Sequence, residues 1–455
     1  MAPDTVVIDG CAIATVDAHG TEHSSGHVVV TGGRITAIGA GPAAPIEGAR
    51  RVDGRGCLAT PGFVNTHHHL YQWLTRGYAA DGTLFEWLTA LYPVWAHLDA
   101  DLEYVAASTG LAALAVSGCT TAMDHHYVFP ASGGDLLGAE IEAAQRIGLR
   151  FCATRGSMNL GRSSGGLPPD EVVEDADRIL SECEAAVAAY HDSSFDSLLQ
   201  VALAPCSPFS VTGELMRDCA ELARALGVRL HTHLAETSDE EEFCLAHFGA
   251  RPVDYVESLG WLGDDVWFAH CVHVSDGDIA KYGATGTGVA HCPSSNARLG
   301  AGIAPIPELL AAEVPVGLGV DGVASNEHGG LAEELHQALL FARARQGPQA
   351  LSARQALWMA TAGGARCLGR SDAIGSLEVG KLGDLALWRL DGLGHADIAD
   401  PVCALVFGPP APLEVLLVGG RAVVDGGELR TADSAELAAA NRAGARELAE
   451  RAGLR

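Results

Sequence analysis

Short apolar runs and longer amphipathic stretches alternate through the middle of this chain. The runs cover residues 63–69, 120–125, 150–155, 198–206, 229–235, 266–270, 288–292 and 314–321. Each is followed by a helical or long-loop segment, such as 240–247 or 333–345. Strand-like runs separated by helix-period segments predict βα units and a parallel sheet. Eight such units predict a (β/α)8 TIM barrel. The competing architecture, a doubly wound open sheet, is not supported, because no Gly-x-Gly-x-x-Gly follows an early strand.

The two ends of the chain read differently. Residues 6–10, 27–33 and 34–39 are β-like runs closed by turn signals, and similar runs return at 384–388, 414–420 and 421–426. We expect them to pair into one small β-sandwich domain beside the barrel. The predicted division is 1–60 for the first part of the sandwich, 61–375 for the barrel and 376–430 for the second part. Residues 431–455, rich in Ala, Glu and Arg, form a helical tail.

Composition narrows the function classes. The formal net charge of -28 argues against nucleic acid, whose phosphates need a basic surface. No apolar run reaches membrane-spanning length, so no membrane partner is expected. The N-terminal residues carry no basic or apolar leader pattern, so no secretory signal is expected. The 12 cysteines are scattered without a Cys-x-x-Cys, which suits free thiols in a reducing cytoplasm.

The candidate chemistry collects at the ends of the predicted strands, where a barrel places its active site. In the first run, Pro61 and Gly62 lead through Phe63 and Val64 to His67, His68 and His69. Alternation along a strand puts His67 and His69 on one face and His68 on the other. The fifth run carries His231, His233 and, just beyond, Glu236; the sixth ends in His270 and the eighth in Asp321. His67, His69, His233 and Asp321 make a set of three nitrogens and one oxygen of the kind zinc takes, with iron(II) as the alternative. His231 lies deeper on its strand and is read as a layer residue behind the ligands. Glu236 is either a solvated glutamate or, beside a metal site, a proton shuttle. His270 is either a core histidine or a group acting on the attacking water. The segment after the first run is aromatic, with Tyr71, Trp73, Trp87 and Trp95, and residues such as Trp87 suit the covering of a flat ring. Gln72 offers a donor and an acceptor, and Arg155 can donate to a carbonyl.

These motifs together resemble the amidohydrolase superfamily, in its branch of mononuclear cytosine-, guanine- and triazine-type deaminases. The resemblance covers nearly the whole length. It rests on the Pro61-Gly62 entry to the His-x-His, on His233-Leu-Ala-Glu236, Ala269-His270-Cys271-Val272, His291-Cys-Pro-Ser-Ser-Asn296 and Leu318-Gly-Val-Asp321-Gly-Val-Ala-Ser-Asn326. It implies a metal-dependent aminohydrolase with a small heteroaromatic substrate, and a homo-oligomer. Binuclear members carry a bridging lysine at the end of strand four. Here that strand ends Leu203-Ala204-Pro205-Cys206, and the only lysines are Lys281 and Lys381, so one metal is expected. Catalytic roles fall on Glu236, His270 and Asp321. Cys206 stands near the place where guanine-specific relatives carry a larger polar residue. The runs around Gln72, Tyr92, Arg155 and Cys206 are similar to those of enzymes acting on 8-oxoguanine. Triazine, guanine, isocytosine and adenosine-type substrates are the alternatives, and an inactive barrel serving as a binding protein is the alternative of a different class.

Overall fold

The computed structural model describes residues 4–454. Eight parallel strands close into a barrel, and sequence neighbours lie side by side around it. In order they are Phe63–Asn65, Cys119–Met123, Arg150–Ser157, Leu199–Pro205, Leu230–Leu234, Val266–His270, Gly288–His291 and Val316–Leu318. Almost every strand residue is buried, as expected for a parallel sheet covered on both faces. The barrel is the one the alternating pattern predicts.

Closure is made by the last strand pairing with the first, Leu318 opposite Asn65. The two chains then continue past the rim together. His68–His69 pairs in parallel with Asp321–Gly322, with Asp321 opposite His68. This second, short ladder brings the histidine segment and the aspartate to the same place, although they lie at opposite ends of the barrel sequence.

The chain termini meet in a nine-stranded sheet. Its central junction is Cys57–Pro61 running antiparallel to Leu385–Arg389. The far edge, Arg34–Ala40, is tied back by Ile35 N–H donating to Lys381 O at 2.9 Å and Gly383 N–H donating to Gly33 O at 2.8 Å. The sheet thus curls around its own core, which includes Ile8, Val28, Ile35, Leu385, Leu387 and Leu417. The sheet joins the barrel through Phe63, whose ring stacks on Trp388 at 5.0 Å, and through the buried Arg150–Asp384 ion pair at 2.6 Å.

One helix lines the mouth of the barrel and two more pack on its outside. Helix α1 (Leu84–Trp95) begins with a capping box between Thr83 and Glu86 and buries Leu84, Trp87, Leu88, Leu91, Tyr92 and Trp95. Helices α2 (Ala100–Val116) and α3 (Leu136–Ile147) pack against each other outside the second and third strands. The C-terminal helix Ser434–Arg451 packs on α2, and Asn441 Nδ2 donates to Trp73 O at 3.1 Å.

Candidate metal and active site

The strand ends bring four side chains to one point. Asp321 Oδ1 lies 3.3 Å from His67 Nε2 and 3.2 Å from His69 Nε2. His69 Nε2 lies 3.1 Å from His233 Nε2. All four residues are buried.

Hydrogen bonds at the far side of each ring decide which nitrogen faces this point. His69 Nδ1 donates to His125 O and His233 Nδ1 donates to Cys206 O, each at 2.7 Å. His67 is fixed through a relay. His231 Nδ1 donates to Trp267 O at 2.8 Å, so its Nε2 must accept, and His67 Nδ1 donates to it at 2.9 Å. Each ring therefore turns an unprotonated Nε2 inward. His67 Nε2 has no hydrogen-bond partner among the described residues. Facing lone pairs repel unless a cation lies between them, so this donor set fits a metal ion, with the outer hydrogen bonds that orient metal-bound imidazoles.

The electrostatics agree at His67 and His233. Burial holds the His67 and His233 imidazoles well below their usual range, the neutral form that ligates. His69 is raised: burial pulls it down, but the Asp321 carboxylate outweighs that. Burial pushes Asp321 up, but the neighbouring His67 and His69 rings prevail and hold it well below the carboxylate range.

Asp321 is itself clamped. Ser295 Oγ donates to its Oδ2 at 2.6 Å, Ser325 Oγ lies 3.2 Å from the same oxygen, and Gly322 N–H donates to Oδ1 at 2.7 Å. Its φ of 62° is left-handed, as is that of His270 at 73° and of Ala235 at 52°. Such backbone costs about 1–3 kcal/mol per residue and persists where the surroundings over-determine it. Here it marks the strand ends that carry site residues.

Beside the four-residue set stand Glu236 and His270, with Glu236 Oε2 3.6 Å from His270 Nε2. His270 Nδ1 donates to Asn296 Oδ1 at 2.9 Å, leaving Nε2 free toward Glu236. The Glu236 loop is held by Glu240, whose carboxylate accepts from the N–H groups of Ala235 and Glu236, each at 2.9 Å. Burial, then the charge of Asp321, keeps the Glu236 acid well above its usual range.

The pocket over this centre contains about 360 Å³ of atom-free space, counting the part open to solvent. Its walls include Gln72, Trp87, Tyr92, Cys206 and Phe209. Gln72 Oε1 accepts from Ala324 N–H at 3.3 Å, while its Nε2 has no partner among the described residues. The amide fits because residue 322 is glycine; a Cβ there would meet Gln72 Oε1 at 1.8 Å. The indole N–H of Trp87 donates to Ala324 O at 3.2 Å. Burial pushes the Cys206 thiol up to about 12, so it is neutral.

Arg155 is not brought to this pocket. Its guanidinium pairs with Glu174 at 2.8 Å, binds Glu182 and lies 3.7 Å from the centre of the Phe129 ring. It lines a separate cavity with Phe129, Arg178 and Tyr190. Position at a strand end does not fix which way a side chain points, and these two carboxylates hold this one outward. The sequence alone suggests no role for Ser295, Asn296 or Ser325, and Tyr92 stands only among the loop aromatics that could cover a ring. The signal for the first two was present: Pro293 opens the helix Pro293–Arg298 directly after the seventh strand, so its first turn faces the site. His125 offers a further nitrogen, grouped with His67, His69 and His233, and its Nδ1 has no partner among the described residues.

Residues 58–423 match the model of the amidohydrolase family. The chain is 47% identical to the 8-oxoguanine deaminase of Pseudomonas aeruginosa strain PAO1, over 96% of this chain and 97% of that one. It is 39% identical to the hydroxydechloroatrazine ethylaminohydrolase of Pseudomonas sp. strain ADP, over 94% and 92%. A variant of atrazine chlorohydrolase from Arthrobacter aurescens TC1, solved with zinc and atraton, superposes with a TM-score of 0.93 at 33% identity, covering 97% of this chain and all of that one. With the closed barrel, the terminal sheet and the histidine–aspartate centre, these likenesses lead to one conclusion: the chain belongs to the amidohydrolase family and is an enzyme of its deaminase type.

Proposed function

We propose that this enzyme hydrolyses the exocyclic amine of 8-oxoguanine, giving urate and ammonia. The observation that carries the reading is the meeting of an oriented His67–His69–His233–Asp321 set, the raised acid of Glu236 and the unpartnered Nε2 of Gln72 around one pocket. We assign one zinc ion to the four-residue set. When bound, it supplies a Lewis acid that brings the pKa of water toward ~7.

The chain's own groups then divide the proton transfers. Glu236, held protonated, gives its proton to the ring nitrogen next to the reacting carbon, which makes that carbon more electrophilic. As the water oxygen bonds to the carbon, one water proton passes to the Asp321 carboxylate and His270. The second goes to the departing amine, which leaves as ammonia when the carbonyl forms. The proton on the Asp321–His270 side returns to Glu236 across the 3.6 Å gap between His270 and Glu236.

Gln72 Nε2 is placed to donate to a carbonyl of the base. Trp87, Tyr92 and Phe209 give the pocket aromatic walls, which suit a flat heteroaromatic ring. The likeness to an 8-oxoguanine deaminase supports the oxidised purine, and the likeness to a hydroxytriazine aminohydrolase supports the second reading, a triazine substrate. All twelve cysteines are unpaired, which supports a reducing, cytoplasmic location.

The test follows ammonia release from 8-oxoguanine, guanine and a hydroxytriazine. A site that pairs polar groups with the extra carbonyl and N–H of the oxidised base discriminates strongly against the base lacking them. We expect kcat/KM for 8-oxoguanine to exceed that for guanine by at least on the order of 10²-fold, about 2.7 kcal/mol of differential transition-state binding. Equal rates on the two purines would remove the oxidised purine from the reading. Faster turnover of the hydroxytriazine would promote the triazine.

A further inference from the structure

Behind the histidine segment lies a second group of ionisable side chains that the proposed reaction does not use. Glu103 on α2, His126 just past the second barrel strand, and Glu140 on α3 converge with their ligand atoms within 4.8 Å of one another. All three are fully buried. Among the described residues, no lysine or arginine pairs with either glutamate, and none of their four carboxylate oxygens has a hydrogen-bond partner.

The imidazole makes this arrangement informative. His126 Nε2 donates to Val128 O at 2.9 Å, so Nδ1 carries the lone pair. That nitrogen is also unpartnered, and it points at Glu103 Oε1 across 3.7 Å. This is too long for a hydrogen bond and suits two atoms that share a cation. Burial holds His126 down to about 3, so the ring itself carries no charge to offset the carboxylates. Asp124 adds a third carboxyl group next to that of Glu140; burial, then the Asp124 charge, raises both glutamates well above their usual range. Uncompensated carboxylates in so dry a place are strongly disfavoured, and metal coordination is one of the few ways to keep them.

We propose that Glu103, His126 and Glu140 bind a second divalent cation, separate from the catalytic centre, that joins α2, α3 and the loop after the second strand. One imidazole with carboxylates suits zinc or manganese(II). The backbone hydrogen bond on the far side of the ring is the one that orients a metal-bound imidazole. The cation would be structural. Asp124 Oδ1 accepts from Leu70 N–H at 2.6 Å, and the carbonyl of His125 orients His69, so the same loop supports the catalytic ligands.

The full chain, stripped of metal and reloaded separately with zinc chloride or manganese chloride, tests this by metal analysis. Wild type should hold about two equivalents per chain with at least one of the two metals, and Glu103→Gln/Glu140→Gln about one. His67→Ala should also hold about one, from the other site. Crystals of the loaded wild type, measured at the metal's absorption edge, should show anomalous density between Glu103, His126 and Glu140. These maps decide the matter if the double variant does not fold. About one equivalent in wild type, with density only at the His67 set, would overturn the proposal and make the cluster a set of neutral acids. Density at the glutamates without any at the His67 set would instead overturn the catalytic assignment.

Discussion

At the scale of single residues, the site is a problem of protonation and tautomer. Glu236 is kept as an acid by burial and by the neighbouring Asp321 charge, so in the proposed reaction it enters as a proton donor. Glu236→Gln keeps the shape and removes the transferable proton. We expect kcat to fall on the order of 10²–10⁴-fold while metal content is unchanged. Loss of the metal from that variant would make Glu236 a ligand. The inward lone pair of His67 depends on the relay through His231 to Trp267 O. His231→Phe removes the acceptor that fixes this tautomer and should weaken zinc binding about 10–100-fold in chelator competition. Unchanged affinity would mean that the relay does not orient the ligand. The identities of His67, His69, His233 and Asp321 were legible as donor types at strand ends. The direction of Arg155 was not, because the Glu174 and Glu182 that hold it come from elsewhere in the chain.

At the scale of elements, the contact between barrel and terminal sheet is close and specific. Gly118 stands just before the second barrel strand at φ 91°; its N–H donates to Ala115 O at 3.0 Å and its carbonyl accepts from Phe63 N–H of the first strand at 2.9 Å. A Cβ there would meet the Trp388 ring at 2.3 Å. Trp388 is pinned by stacking on Phe63 and by its N–H donating to Thr60 Oγ1 at 3.0 Å, so it cannot yield easily. Gly118→Ala therefore combines an unfavourable backbone conformation with overpacking, and we expect a loss of at least about 2 kcal/mol in denaturant unfolding. Stability within about 0.5 kcal/mol of wild type would show that the two units meet less closely than this. The helical tail gains a task that its composition did not suggest, closing over α2 and the Trp73 backbone.

At the scale of the whole molecule, the buried ionisable groups shape the response to pH. Burial lowers His68 to about 4 and His126 and His291 to about 3. Their neutral forms stabilise the fold above the ordinary histidine pKa of about 6.5, and that stability is lost progressively as pH falls toward their folded values. Glu240 and Glu334 are raised to about 7 and Asp124 to about 6, again by burial. Their contribution is fully present below about pH 4.5 and is lost as pH rises through those values. From about pH 4.5 to 6.5 the two slopes oppose each other. Below that window the histidine slope prevails, and His67 and His233, held well below their usual range, add to it. We expect Tm of the metal-free protein to change little between pH 6.5 and 5 and to drop steeply below 4.5. A steady fall beginning at pH 6.5 would mean that the buried acids are ionised in the folded protein.

The sequence by itself determined the barrel, because apolar runs of strand length separated by helix-period segments have few other ways to bury their surfaces. It also determined the donor chemistry at the strand ends, since a barrel gathers the C-terminal ends of all its strands at one mouth. What it did not contain was the set of contacts made across long sequence distances. The pairing of His68–His69 with Asp321–Gly322, the clamp of Ser295 on Asp321 and the exclusion of Arg155 from the pocket depend on closure of the barrel and on neighbours remote in sequence. The meeting of Glu103, His126 and Glu140 is of the same kind. Each sits in an ordinary segment, and only the packing of α2 and α3 on each other and on the second and third strands turns three scattered residues into one buried cluster of ionisable groups.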